Sequence, residues 1–140
     1  GRAMAAAFAL GAEGVQIGTR FVASIESSAH AAFKEKVTQL REGDTMLVMK
    51  KLVAARLVKN HFYEQVSEAE NRGASADELT QILGRARAKR GMFEGDMHEG
   101  ELEIGQVAAL VKEIKPAADI VAEILAEFEA TRQAAAQWQF

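Results

Sequence analysis

Residues 15–17 (Val-Gln-Ile) form the one convincing buried strand in a sequence whose other apolar periodicity is mainly helical. A single strand leaves both rows of its backbone N–H and C=O groups without partners, and unpaired backbone groups are costly to bury. The segment therefore needs partners from further sequence or from another chain, or it must rearrange into coil or helix. This requirement limits the fold more than any other feature of the chain.

Gly18 and Thr19 follow this strand, where a helix is expected to begin. Gly18 has no Cβ, so a phosphate oxygen can approach its backbone N–H closely, and Thr19 adds a hydroxyl and a further N–H. The first N–H groups of a helix have no partner inside it, and the helix dipole is positive at that end. An ordinary tight turn with a helix cap explains the same two residues. The residues alone leave both interpretations open, with Arg20 either neutralising a phosphate or making a structural ion pair.

Apolar residues at helical spacing predict helices over most of the remaining chain. The spacing predicts one helix from about residue 28 to residue 40, a second from about 54 to 71, and a third across 104–114. Residues 46–49 are a short apolar run that fits either a strand or an irregular packed segment.

Two local signals mark helix starts. Ser75 lies three residues before Glu78, which is the spacing of a capping box, and Gly91 is expected to end the helix that begins there. Pro116 is at the start of a last amphipathic helix. The tail after it is rich in alanine and glutamine, and Trp138 is a candidate docking anchor.

The composition excludes several classes of site. The 140 residues contain no cysteine, which rules out disulfides, thiolate catalysis and cysteine-ligated metals. A net charge of -3 gives no general attraction for nucleic acid. The longest apolar runs fall short of the roughly 18 residues that a membrane span requires. We therefore expect a soluble, cytoplasmic protein with neither a nucleic-acid nor a membrane partner.

Three groups of polar side chains have simple structural explanations. The basic cluster near Lys89 could contact a phosphate, an acidic carrier protein or RNA, but charges near a helix C-terminus also complement its dipole. The acidic residues near Glu99 do not have the spacing of an EF-hand loop. His30, His61 and His98 are far apart in sequence, and none has a metal-ligand partner at i+3 or i+4. We therefore predict no metal site and assign no catalytic histidine.

Several longer motifs resemble one enzyme family. They are ALGAEGVQIGTRF at 9–21, ESSAH at 26–30, RLVKNHF at 56–62, GMFEGD at 91–96 and ELEIGQV at 101–107. Together they resemble the C-terminal part of the FMN-dependent nitronate monooxygenases, formerly called 2-nitropropane dioxygenases. They also resemble the related flavin-type enoyl-acyl carrier protein reductases. The resemblance covers nearly the whole chain, from Gly1 to about Leu125.

The resemblance implies an α/β fold, the C-terminal portion of a TIM (β/α)8 barrel with an appended helical region. Residues 1–45 would be the last βα unit, with helix 7, strand 8, the phosphate loop and helix 8. Residues 46–130 would be a family-specific helical region, and 131–140 a C-terminal tail. Such barrels need about 250 residues, so six or seven strands are expected upstream of Gly1, and the chain as given is expected to be predominantly α-helical.

The same resemblance implies the chemistry. FMN is the implied cofactor, and its contacts fall on Gln16, Ile17, Gly18 and Thr19. The implied activity is oxidation of alkyl nitronates with O2, and the alternative is NAD(P)H-dependent reduction of an enoyl thioester. The family's catalytic histidine would lie upstream, so no catalytic residue is assigned in this chain.

A third alternative is a helical interaction module without catalysis. On its own the segment would lack most of a flavin site, and we expect negligible affinity for FMN. Apolar surface intended for the rest of a barrel would be exposed and could drive self-association.

Overall fold

The structure, a computed structural model, describes residues 1–137. Helices dominate these residues, as expected, and no described helix is long and apolar enough to cross a membrane. The elements are α1 (Arg2–Ala9), α2 (Thr19–Val22), α3 (Ala31–Gln39), β1 (Thr45–Val48), β2 (Ala55–Val58), α4 (His61–Asn71), α5 (Ala76–Leu83) and α6 (Ala117–Ala135), with a π-helical turn at Lys89–Phe93 and a 3-10 helix at Gln106–Leu110.

Strand β2 lies at the centre of a small layer. One edge pairs antiparallel with β1, in a register that sets Thr45 opposite Val58 and Val48 opposite Ala55. The other edge receives residues 102–104, because the Val58 N–H donates to the Leu102 carbonyl at 3.0 Å and the Ile104 N–H to the Arg56 carbonyl at 3.1 Å. These bonds place the chain around residues 101–105 beside Arg56.

The core consists of two clusters that meet at β2. Leu57 and Val58 are adjacent in the strand and are at most 1 % exposed, but they face opposite sides. Leu57 packs in a cluster with Met49, α4 and α5, whereas Val58 packs in a cluster with α3 and residues 102–111. The strand therefore divides the interior of the molecule between its two faces.

Local capping signals explain where several helices begin. The Ser75 hydroxyl accepts a hydrogen bond from the Glu78 N–H at 3.2 Å, which confirms the predicted start of α5. The Glu78 carboxylate pairs with Arg72 instead of completing the capping box. Pro116 precedes α6 as predicted, and α3 begins after His30, whose ring accepts from the Ala32 N–H.

The prediction of a strand at residues 15–17 was wrong. The structure has no regular element there, and Val15 and Ile17 are 39% and 37% exposed. Among residues 1–137 no strand pairs with this segment, which remains solvated coil, one of the three outcomes that its unpaired backbone allowed. The expected order of helix, strand, loop and helix in residues 1–45 therefore keeps its helices and loses its strand.

The predicted helix from about residue 54 was wrong at its start. Residues 55–58 are β2, and the helix begins only at His61, after Asn60 accepts the Tyr63 N–H at 3.0 Å. Residues 46–130 are therefore not uniformly helical, and the short apolar run at 46–49 is largely strand β1. Pairing with β1 and with residues 102–104 outweighs the helical preference of Ala54 and Ala55.

Two other helix boundaries also differ from expectation. Helix α5 ends at Leu83, with Gly84 at a positive φ of 65°, whereas Gly91 lies inside the π-helical turn. The helix expected across 104–114 is reduced to the 3-10 helix Gln106–Leu110, since residues 102–104 are extended beside β2.

Helices α1 and α6 pack on each other at the edge of the molecule. The Phe8 and Phe128 rings meet edge to face with centroids 5.6 Å apart, and the Gly1 ammonium group donates to Glu127 at 2.6 Å. Helix α6 continues to Ala135, so the first half of the predicted tail is helical. Trp138 lies outside the described residues.

Candidate cofactor site

A cavity opens between the start of α2, the β1–β2 loop and residues 101–105. Its volume is about 640 Å³. Gly18 and Thr19 lie on one wall, and Arg56, Glu101 and Glu103 lie on the others. The structure thus places two of the four predicted cofactor contacts in a cavity, at the loop where the sequence indicated a phosphate.

The loop before α2 presents unpaired backbone donors to solvent. Among the described residues, no acceptor receives the N–H groups of Gln16, Ile17, Gly18 or Thr19. Gly18 precedes α2 with φ −98° and ψ −69°, and no heavy atom lies within 4 Å of the position a Cβ would take. Free N–H groups beside open space are what a phosphate requires from a backbone.

Thr19 links this loop to the opposite wall. Its hydroxyl oxygen accepts a hydrogen bond from the Gly105 N–H at 3.1 Å. Gly105 allows this approach because a Cβ there would lie only 2.5 Å from the Thr19 Oγ1. The bond fixes the start of α2 against residues 101–105 and leaves the Thr19 hydroxyl proton free to donate.

Arg20 has a structural role in the fold, although its contacts are with backbone carbonyls and not the ion pair that the sequence interpretation expected. Its guanidinium donates to the carbonyls of Ala23 at 3.5 Å and Glu113 at 3.3 Å. These bonds connect α2 to the segment before α6. Arg20 is not among the residues that line the cavity.

Arg56 supplies positive charge to the cavity wall. Its guanidinium donates to the Thr45 carbonyl at 3.2 Å and to the Thr45 hydroxyl at 3.3 Å, so the pairing of β1 with β2 holds it in place. In the sequence, Arg56 stands out only as the first residue of the RLVKNHF motif. Its place in the cavity depends on the strand pairing, which the sequence analysis did not predict.

Glu101 and Glu103 form an acidic pair in the same cavity. Burial raises the pKa of the Glu101 carboxyl to about 7, and the neighbouring Glu103 charge adds to the shift. Glu101 is only 7% exposed, so its charged form loses most of its hydration. Below pH 7 the group therefore holds a proton and adds little negative charge to the cavity. The alternation Glu-Leu-Glu of an extended segment was the available sequence signal for this pair.

The basic and acidic clusters pair with each other. The four basic side chains are Arg85, Arg87, Lys89 and Arg90. Arg87 is 3.4 Å from Glu99, Lys89 is 3.1 Å from Glu94, and Arg90 is 2.7 Å from Asp96. Hydrogen bonds to the backbone N–H of Glu99 lower the pKa of Asp96, as does the Arg90 charge. Three of the four basic residues are thus engaged within the molecule.

The histidines divide into one separate residue and one pair. His30 is the N-cap of α3, and Gly95 packs against its ring so closely that a Cβ would lie 2.4 Å away. His61 and His98 stack on each other beside Glu99. Sequence spacing missed this pair because the turn that carries His98 is brought to the start of α4 by the fold.

Comparison with known proteins shows which family this chain is related to. The family model for nitronate monooxygenase matches residues 1–127. The chain belongs to the nitronate monooxygenase family. This result confirms the resemblance seen in the sequence motifs.

Among family relatives, the chain is 34% identical over 97 residues to a probable nitronate monooxygenase of Staphylococcus saprophyticus, covering 65% of this chain and 27% of that protein. It is 27% identical over 141 residues to a nitronate monooxygenase of Neurospora crassa, covering 91% of this chain and 35% of the relative. The chain thus spans well under half the length of these relatives.

Two solved structures share its fold. FabK from Thermotoga maritima is 41% identical, with a TM-score of 0.86 over 96% of this chain and 42% of FabK. Nitroalkane oxidase from Streptomyces ansochromogenes is 30% identical, with a TM-score of 0.69 over 94% of this chain and 37% of the oxidase. The same tertiary arrangement therefore occurs as part of two longer chains.

Proposed function

We propose that this chain carries the phosphate end of the cofactor site of an FMN-dependent oxidoreductase, whose complete form oxidises alkyl nitronates with O2. Membership of the nitronate monooxygenase family supports the reaction class. In the complete form, the eight-stranded barrel implied by the sequence resemblance would supply the partners that residues 15–17 lack.

The observation that carries the proposal is the set of free backbone donors at Gln16, Ile17, Gly18 and Thr19. They surround a glycine with open space on its Cβ side, at the edge of a cavity of about 640 Å³. A phosphate dianion is the group that such donors bind best. FMN ends in a phosphate, so these residues fit the terminal group of that cofactor.

Bound FMN would supply the redox chemistry. The chain's own part is to hold and orient. Gln16, Ile17, Gly18 and Thr19 would donate backbone hydrogen bonds, while the bond between Thr19 and Gly105 keeps the loop in position. Arg56 adds positive charge, and below pH 7 protonated Glu101 offsets that charge less, so that Glu103 is the remaining acidic group of the pair.

A substitution at Gly18 tests the site in the complete protein of this reading frame. Gly18→Val would fill the space that a phosphate oxygen needs. Losing one hydrogen bond to a charged group costs about 1.5–3 kcal/mol, so we expect FMN affinity to fall about 10- to 100-fold, measured by quenching of flavin fluorescence.

Gly14→Val is the matched control, because Gly14 also has no heavy atom within 4 Å of its Cβ position. Equal FMN affinity in the two variants and the wild type would contradict the proposal. We also expect no micromolar FMN binding by the 140-residue chain alone.

The second candidate is an FMN- and NAD(P)H-dependent enoyl-acyl carrier protein reductase. The 41% identity to FabK favours it, since the nitroalkane oxidase reaches only 30%. Assays with propionate 3-nitronate and O2, and with crotonyl-carrier protein and NADH, separate the two activities. Turnover in neither assay would remove both substrate assignments.

Self-association of the 140-residue chain stays a prediction. Leu10 and Leu125 are 91% and 53% exposed, close to the α1–α6 edge. We expect the mass measured by sedimentation equilibrium to rise with protein concentration, and Leu125→Glu to reduce this rise. A constant monomer mass for the wild type would contradict the prediction.

A further inference from the structure

His61, His98 and Glu99 come together at the start of α4. Asn60 causes this meeting, because its side-chain amide donates to the Met97 carbonyl at 3.1 Å and to the Gly100 carbonyl at 2.9 Å. The Phe62 N–H also donates to the His98 carbonyl at 3.2 Å. The turn carrying His98 and Glu99 is therefore held against the first residue of α4.

The two imidazole rings converge on one carboxylate oxygen. The rings are nearly parallel, at 14°, with centroids 4.6 Å apart. The His98 Nδ1 lies 3.1 Å from the Glu99 Oε1, and the His61 Nδ1 contacts the same oxygen. One ligand atom from each of the three residues lies within 4.8 Å of the others.

The Glu99 carboxylate is fixed from behind. The Asp96 carboxylate accepts the backbone N–H groups of His98 at 3.0 Å and Glu99 at 2.8 Å, which shapes the turn. Arg87 donates to the Glu99 carbonyl at 2.9 Å and lies 3.4 Å from the Oε2. Arg87 in turn stacks on Phe62 at 4.6 Å from the ring centroid. The Oε1 is therefore left to face the imidazoles.

We propose that His61, His98 and Glu99 bind a divalent transition-metal ion of the Zn²⁺ class. Two imidazole nitrogens and one carboxylate oxygen are ligands that Zn²⁺ takes in three-ligand sites with an open position. Ligand bonds of about 2.0–2.1 Å put neighbouring ligand atoms roughly 3 Å apart. The His98 Nδ1 already lies 3.1 Å from the Glu99 Oε1, close to that spacing, and the His61 Nδ1 contacts the same oxygen.

The rest of the surroundings supports an ion at this place. The His61 and His98 rings lie parallel, so one nitrogen of each ring lies near the Glu99 carboxylate. Gln65 lies with its Nε2 3.1 Å from the His61 Nδ1 and would release it on binding. The chain has no cysteine that could bind the ion elsewhere.

Binding would join the start of α4 to the turn that follows the π-helical segment. The site lies outside the set of residues that line the cofactor cavity, so the inference does not depend on the proposed function. Metal binding is expected to stabilise the folded chain and to restrict the motion of this turn.

Isothermal titration calorimetry of the 140-residue chain with Zn²⁺ near neutral pH tests the site. We expect one equivalent to bind with micromolar affinity, while Mg²⁺, which prefers oxygen ligands, gives no heat. We expect His61→Ala, His98→Ala and Glu99→Gln each to weaken Zn²⁺ binding at least tenfold, taking the roughly 10- to 100-fold loss for supporting residues as the lower bound.

Two control variants separate ligation from local charge and packing. Glu64→Gln removes an exposed carboxylate from the same helix and should leave Zn²⁺ affinity unchanged. Gln65→Ala removes the competing amide and should leave it unchanged or tighter. In thermal unfolding, Zn²⁺ should raise the melting temperature of the wild type and of both controls, but not of the three ligand variants.

Absence of Zn²⁺ binding to the wild type would overturn the proposal. An equal loss of Zn²⁺ affinity in Glu64→Gln and Glu99→Gln would overturn it too, because Zn²⁺ binding would then depend on the net surface charge and not on Glu99 as a ligand. Circular dichroism of each variant before titration establishes that it is folded. If His98→Ala unfolds, His98→Gln replaces it and must also lose binding.

Discussion

The region from α3 to the 3-10 helix buries its large apolar side chains, whereas the α1–α6 pair leaves most of its own partly exposed. In the first region, Phe33, Phe62, Leu79 and Leu102 are at most 1 % exposed. Helix α1 has no buried residue, and α6 buries only Ile120. The first region therefore has its own interior, whereas α1 and α6 leave apolar surface that another structure could cover.

The largest expected effect in this comparison is at Phe62. Its side chain projects from α4 and is fully buried in the cluster that contains Leu57 and Leu79, with Arg87 over its ring. Phe62→Ala should lower the free energy of unfolding by about 3–5 kcal/mol, because it leaves a cavity and removes the ring from Arg87. Urea denaturation measures the change. A loss below about 1 kcal/mol would mean that this interior is loosely packed.

A second effect is expected where two glycine backbones meet. A Cβ on Gly91 would lie 2.7 Å from the Glu101 carbonyl oxygen and 3.0 Å from the Gly100 carbonyl carbon. Backbone atoms cannot rotate away, so Gly91→Ala should cost about 3 kcal/mol. Gly14→Ala, with no atom in reach, is the control and should change the free energy of unfolding by less than about 0.5 kcal/mol. Similar urea midpoints for the two variants would refute the close approach.

The burial of Glu101 predicts a pH dependence. Its pKa is raised from 4.5 to about 7 in the folded state, so the unfolded chain releases this proton at lower pH. Stability should therefore fall as pH rises from 4.5 to about 7, by on the order of 2 kcal/mol for this group. Glu101→Gln should remove that part of the slope.

Subtracting the urea-derived stability of Glu101→Gln from that of the wild type cancels the other titrating groups. The difference should depend on pH between 4.5 and 7 and be constant above that range. A difference that stays constant throughout would show that Glu101 ionises in the folded state as it does in water.

The smallest effect is expected at Phe8 in α1. Its ring is 38% exposed and meets Phe128 only by its edge. Phe8→Ala should cost about 1 kcal/mol, well below the loss at Phe62. A cost as large as that of Phe62→Ala would show that the α1–α6 pair is part of the main interior, and would end the distinction between the two regions.

Local signals in the sequence predicted part of this fold. The hydroxyl at Ser75 and the proline at 116 act on residues beside them, so the starts of α5 and α6 could be located from spacing alone. The loop at Gly18 and Thr19 and the family were also reached from the sequence, through motifs that follow one another along the chain.

Contacts between distant segments were not accessible in this way. Strand β2 owes its form to partners on both edges, while the alanines that precede Arg56 would also suit a helix. The cavity positions of Arg56 and Glu101 follow from that pairing. His61 and His98 meet only because Asn60 ties a remote turn to its own helix. The strand prediction for residues 15–17 failed for the opposite reason. These residues have a strand pattern, but no strand in residues 1–137 pairs with them.

The division of the interior by β2 has a consequence for how the molecule opens. Leu57 and Val58 are consecutive residues that belong to separate clusters. A shift of the strand register by one residue would therefore move both side chains out of their clusters at once. Neither cluster can loosen without disturbing the other. Amide hydrogens on both edges of this strand should then exchange with solvent at a common slow rate, as one cooperative unit.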